Sequence, residues 1–124
     1  MKTRDVLYFT AREDAFVATL ADLGIKKNVA KTLVCLTHVQ EASSYDIERS
    51  ADLRQSEVSH ALKHLTEQGW VTHRVSKIGC HGRPIKIFEL TMTLPRIIDV
   101  IESEKMATMT GTLNRIRELR EYSL

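Results

Sequence analysis

Ser44-Tyr-Asp-Ile-Glu-Arg-Ser-Ala-Asp-Leu-Arg-Gln-Ser-Glu-Val-Ser-His-Ala-Leu-Lys-His-Leu-Thr-Glu-Gln-Gly-Trp-Val71 is the stretch that decides the fold. Ser43 and Ser44 stand ahead of Tyr45-Asp-Ile-Glu48, a capping position followed by early acids, which starts a helix that runs to about Ala51. Asp52-Leu53-Arg54 makes a tight connection, and a second helix covers 55–68. In that helix Val58, Ala61, Leu62 and Leu65 fall at i, i+3, i+4 and i+7 and form an inward stripe. Ser56, Ser59, His60 and Lys63 take the other side, with Gln55 at its first turn. Gly69 follows as a C-terminal glycine cap.

Downstream of Gly69 the period changes. Residues 70–76 and 85–91 are rich in β-branched and aromatic side chains and are predicted strands. Lys77-Ile-Gly-Cys-His-Gly-Arg-Pro84 between them is a basic, glycine-punctuated loop. Thr93, with Pro95 just behind it, opens a last helix that extends to about Tyr122. Upstream, Val29, Leu33, Leu36 and Val39 are spaced for a mostly buried helix over 28–39. Ala15, Phe16, Ala18, Thr19 and Leu20 mark a shorter one over 11–22 that stops before Gly24. The expected organisation is an N-terminal helical arm over 1–27, a core domain over 28–93 and a C-terminal helix over 94–124.

A chain of 124 residues with 43% hydrophobic and 27% charged residues is one ordinary globular domain, or a small domain with an added arm. No apolar run approaches the roughly 20 residues of a membrane span, and the N-terminus lacks the apolar stretch of a signal peptide. A cytoplasmic protein without membrane attachment is expected. Cys35 and Cys80 have no zinc-like spacing and make no disulfide scaffold. There is no phosphate loop, no Ser-His-Asp pattern and no carboxylate pair set apart from surface acids, so no enzyme is expected and no cofactor is implied.

Charge is unevenly distributed. The net charge is only +2. Residues 54–86 hold Arg54, Lys63, Arg74, Lys77, Arg83 and Lys86 against Glu57 and Glu67, a local +4 that leaves −2 on the remainder. A local basic patch beside a helix face of short polar side chains is the footprint of a DNA-binding surface: the lysines and arginines meet phosphates, and the short polar groups reach base edges. The competing explanation for the face of helix 55–68 is plain solvation, but a solvated helix usually carries more Glu and alternating charge.

With these residues in place, the 44–71 stretch resembles the helix-turn-helix of winged-helix transcription regulators of the MarR, ArsR and archaeal TrmB-like groups. Gln55-Ser-Glu-Val-Ser-His-Ala-Leu-Lys-His-Leu65 is similar to their recognition helix, and Gln68-Gly-Trp-Val71 to the exit into the wing. Gly82-Arg-Pro84 followed by Lys86-Ile-Phe-Glu-Leu-Thr91 resembles the wing and its return strand. The wing lacks the Asp-Arg pair common in MarR proteins, which places the chain nearer the TrmB-like and ArsR-like groups. The resemblance implies a mainly α fold with a small β-hairpin wing, a winged helix-turn-helix with a long C-terminal dimerisation helix. It implies base contact by Gln55, Ser56, Ser59, His60 and Lys63, and backbone or minor-groove contact by Arg74, Lys77, Arg83 and Lys86, with Arg54 adding to the basic set. An Arg held between Gly82 and Pro84 is suited to a narrow minor groove.

Leu94, Ile98, Ile101, Met109, Leu113, Ile116 and Leu119 fall near one side of the last helix, a stripe broken by Lys105 and Thr108. One small domain does not cover a helix of that length, so a homodimer is expected, with helix 11–22 joining the interface. Two alternatives remain open. One is a metal- or thiol-responsive sensor: His60 and His64 are spaced i, i+4, and His73, Cys80 and His81 lie on the hairpin, with Cys80 a candidate oxidation switch. The other is a winged helix used only for protein–protein contact.

Overall fold

The computed structural model describes residues 10–77 and 83–124. In chain order they form α1 (Ala11–Asp22), α2 (Lys27–Val39), β1 (Glu41–Ala42), α3 (Ser44–Ala51), α4 (Gln55–Glu67), β2 (Val71–Ser76), β3 (Ile85–Leu90) and α5 (Leu94–Ser123). The expected helices and both long strands lie within a residue or two of these bounds. The architecture is that of a mainly α winged helix. Cys80, His81 and Gly82 fall outside the described residues.

The helix boundaries follow from local chemistry. The Ser43 hydroxyl accepts from the Asp46 N–H at 3.1 Å and the Asp46 carboxylate accepts from the Ser43 N–H at 3.2 Å, a reciprocal pair that opens α3. Thr10 and Glu13 open α1 in the same way. Thr93 occupies the cap position of α5, but its side chain makes no capping bond; Pro95 fills the first turn, where a backbone N–H has no intrahelical partner anyway. Gly69 ends α4 with a φ of +80°, a left-handed value that costs a residue with a Cβ about 1–2 kcal/mol. Its N–H donates to Thr66 O and that of Trp70 to Leu65 O, both at 3.0 Å, which closes the last turn. Between α3 and α4, Asp52 also adopts the left-handed region, with φ +54°. That single residue reverses the chain so that α4 leaves at a new angle.

The core of residues up to Thr91 gathers around α2, in which Val29, Ala30, Thr32, Leu33, Val34, Cys35 and Leu36 are all buried. Ile47 of α3 and Val58, Ala61, Leu62 and Leu65 of α4 close over it, as the period-3.6 stripe predicts. Fully burying each large apolar side chain contributes about 1.5–3 kcal/mol, so this stripe sets the orientation of α4. In α1 the buried pair is Val17 and Leu20; the sequence pattern pointed to Phe16 in place of Val17.

The sheet contains one more strand than expected. β1, only two residues long, follows a turn at Gln40 with φ +70° and pairs with β3 as Glu41↔Glu89 and Ala42↔Phe88. β2 pairs with β3 from Val71↔Leu90 to Ser76↔Ile85, so the antiparallel order is β1-β3-β2. Thr91 ties the base of the hairpin: its hydroxyl donates to Gly69 O at 2.6 Å and its N–H to Trp70 O at 2.8 Å.

Residues from Met92 to Leu124 form a second compact unit. It is dominated by α5, whose 30 residues span about 45 Å. Its apolar residues occupy two faces rather than the one expected. Ile97 and Ile101 are buried, whereas Met106, Met109, Leu113 and Ile116 are exposed and repeat at 3-4-3 spacing. At 100° per residue, the centres of the two sets differ by about 120°. Ile101, at 6% exposure, thus belongs to the buried face, and the exposed Met106 was absent from the sequence pattern.

Candidate nucleic-acid interface

With Val58, Ala61, Leu62 and Leu65 packed inward, the rest of α4 has one direction left. Gln55, Ser56, Ser59, His60 and Lys63 are all exposed, and Arg54 at the N-cap is exposed beside them. Glu57 accepts from the Arg54 N–H at 2.8 Å, so the one acid in the first turn of α4 is bound back to its own helix start. The polar face divides by helical angle. Gln55, Ser59, Lys63 and Thr66 turn toward the sheet, while Ser56 and His60 sit further round, on the side away from it.

The sheet-facing half forms one wall of a groove of about 1060 Å³. Ser43, Ser44 and Tyr45 at the start of α3 close one end, Leu62 and Phe88 supply apolar surface, and His73, Ile85 and Lys86 complete the sheet side. The His73 and Phe88 rings stand 5.5 Å apart at 46°, a tilted contact between directly paired strand residues. Arg49 lies over the Tyr45 ring at 5.7 Å, which steadies an otherwise exposed aromatic.

Strand register separates two of the expected wing contacts. Arg74 pairs with Ile87, so Lys86, one residue earlier, points to the opposite face of the sheet. Lys86 shares the groove with His73. Arg74 shares its face with Glu41 and Glu89, two acids that stand directly opposite each other across β1 and β3. Its guanidinium meets Glu41 at 2.8 Å and relieves that repulsion. Arg74 is thus engaged within the protein, a contact between residues 33 apart that no local pattern announces. Lys77 and Arg83 are exposed at the two ends of the loop.

A second long-range bond was also absent from the sequence pattern. The Asn28 side-chain amide donates to the Glu57 carbonyl at 2.9 Å and fastens the start of α2 to the first turn of α4. The histidines do not converge: among the described residues no three His, Cys, Asp or Glu side chains stand close enough to hold a metal ion. Cys35 is buried in α2. No described helix is long and apolar enough to cross a membrane.

The fold and this exposed helix face define the winged helix-turn-helix class. No protein-family model and no curated protein matches the chain. Solved structures match it throughout. A possible transcriptional regulator from Methanosarcina mazei Go1 superposes with a TM-score of 0.65 at 16% identity, covering 94% of this chain and 98% of that one. A MarR family regulator from Neisseria meningitidis gives 0.53 at 17% identity over 89% of this chain and 86% of its own. A transcriptional regulator homologue from Pyrococcus horikoshii OT3 gives 0.50 at 18%, over 82% and 97%. At these identities the likeness is one of fold: a MarR-like winged helix with a long C-terminal helix.

Proposed function

We propose that this chain is a sequence-specific DNA-binding transcription regulator that acts as a homodimer and not as an enzyme. α4 enters the major groove, and Lys77, Arg83 and Lys86 on the wing meet the backbone or an adjacent minor groove. The observation that carries the proposal is the two-sidedness of α4: four apolar residues buried, and Gln55, Ser56, Ser59, His60 and Lys63 exposed together on a fold whose solved neighbours are described as transcriptional regulators. Ser and His side chains donate and accept at base edges, and Lys63 adds charge without bulk. The N-cap Arg54 lies where a phosphate flanks an inserted helix. Arg74, ion-paired to Glu41, contributes less than its charge suggests. The exposed stripe Met106, Met109, Leu113 and Ile116, flanked by Leu119, receives the same stripe of a second copy, which places two copies of α4 on two half-sites. Acting on chromosomal DNA, the protein works in the cytoplasm.

The test is a pair of titrations with purified protein: a duplex selected from genomic fragments, and its scrambled counterpart. Ser56→Ala and His60→Ala are expected to cost about 1–3 kcal/mol on the selected duplex and little on the scrambled one. An unchanged ratio in both variants refutes α4 as the reading element.

A further inference from the structure

The bond between Asn28 and the Glu57 carbonyl does more than brace two helices. It fixes residues 26–28 against the first turn of α4, the turn that carries Arg54, Gln55 and Ser56. Two of those three residues are lysines. Lys26 and Lys27 are both exposed, and Lys31, one turn further along α2 and four residues from Lys27, is half-buried on the same side. None of the three makes an ion pair with another described residue; the ion pairs among the described residues are His38–Glu13 and Arg74–Glu41. The acid nearest in sequence to α4's start, Glu57, is itself held by the Arg54 N–H. The structure therefore brings Lys26 and Lys27, with Lys31 behind them, none ion-paired with another described residue, alongside the first turn of α4, from a segment that lies 29 residues away in sequence.

We infer that the start of α2 is a second phosphate grip: Lys26 and Lys27, with Lys31 behind them, contact the sugar-phosphate backbone of the same duplex whose major groove α4 enters. The inference rests on the proposed DNA-binding function. Its chemistry is charge complementarity continuous with that interface. A helix inserted by its first turns has phosphates on both flanks, and Arg54 serves one of them while the wing serves the next groove. The tether at Asn28 puts Lys26 and Lys27 within a side chain's length of that same first turn. Contacts of this kind position the protein and carry no sequence information. They add to the salt dependence in proportion to the number of phosphates neutralised.

The test is fluorescence polarisation with a labelled random-sequence duplex of about 30 base pairs, from 50 to 200 mM salt. Lys26→Ala/Lys27→Ala is compared with the wild-type chain and with Arg12→Ala/Arg117→Ala, which removes the same charge from α1 and α5. The slope of log affinity against log salt is expected to flatten by about two in the lysine variant and to stay near the wild-type value in the control. The affinity loss at 100 mM salt is expected to be tenfold or more, and equal on selected and random duplexes. If wild type binds and the lysine variant keeps its slope, the grip at α2 is refuted while the proposed function stands. If the control loses as much as the lysine variant, the effect is general charge and the inference fails. If wild type does not bind duplex DNA at 50 mM salt, the proposed function fails and takes the grip with it.

Discussion

Replacing Leu113 by Asp is expected to dissolve the proposed homodimer while leaving the monomer folded. Leu113 is 55% exposed in the single chain and lies at the centre of the stripe Met106, Met109, Leu113 and Ile116. Complete burial of a leucine contributes about 1.5–3 kcal/mol, so covering its exposed half is worth about 1–1.5 kcal/mol. A two-fold interface counts each residue twice, which brings the loss of the leucines alone to about 2–3 kcal/mol. The aspartates add a desolvation cost and mutual repulsion. The total exceeds about 3 kcal/mol, or a weakening of dimerisation by more than about 100-fold. Asn114→Asp is the matched control: it adds the same charge to a residue about 120° from the stripe's centre on the same helix. Sedimentation equilibrium across micromolar concentrations reads both, and circular dichroism checks that α5 stays helical. A Leu113→Asp chain that sediments with the wild-type dissociation constant refutes the stripe as the interface. So does a wild-type chain that is monomeric throughout that range.

Four further outcomes are expected. Gly69→Ala meets no atom of the described residues within 4 Å, so its cost is backbone strain at φ +80°: about 1–2 kcal/mol, read as a lowered urea midpoint. Thr32 is fully buried and its hydroxyl has no hydrogen-bond partner among the described residues, so Thr32→Val, which keeps the shape, is expected to raise stability by about 1 kcal/mol. The Glu13 carboxyl is held below the usual carboxylate range chiefly by the Thr10 N–H, with the Thr10 hydroxyl and His38 adding to it. Its contribution is complete above the unfolded value of about 4.3 and is lost as pH falls through the lower folded value, so the gap in melting temperature between wild type and Glu13→Gln is expected to close as the pH is taken below about 4.3. Glu41→Gln frees the Arg74 guanidinium and removes a negative charge from the wing, so binding to random duplex DNA is expected to tighten and its salt slope to steepen, by at most about one.

Most of the fold was legible because each segment's burial is encoded at its own period. Val58, Ala61, Leu62 and Leu65 announce which side of α4 faces inward, and once that side is fixed the exposed set follows without tertiary information. Ser43 and Gly69 likewise mark boundaries through bonds made within a few residues, and Pro95 through the N–H it lacks. β1 was not legible: two residues hold no alternation, and Glu41-Ala42 is a strand only because β3 lies beside it. The faces of α5 were merged for a related reason. Spacing lists the apolar positions of a long helix, but it does not say which of them are buried. Ile101 therefore ran on, in the pattern, into Met109 and Leu113, while the buried Ile97 was missed.

The candidate site divides along the same line. Its reading half lies on one helix and was visible as one helix face. Its proposed phosphate-binding half draws on separate segments, and a charge count along the chain misjudges it in both directions. Arg74 counted as a free cation on the wing, yet it is paired with Glu41 across β3. Lys26, Lys27 and Lys31 precede the patch by more than twenty residues, yet Asn28 fastens the start of their helix to the first turn of α4. The physical reason is that base readout needs side chains at fixed angles on one rigid element, whereas phosphates attract charge from any segment that comes near. Long-range hydrogen bonds such as Asn28–Glu57 decide which segments those are, and such bonds leave no local periodicity.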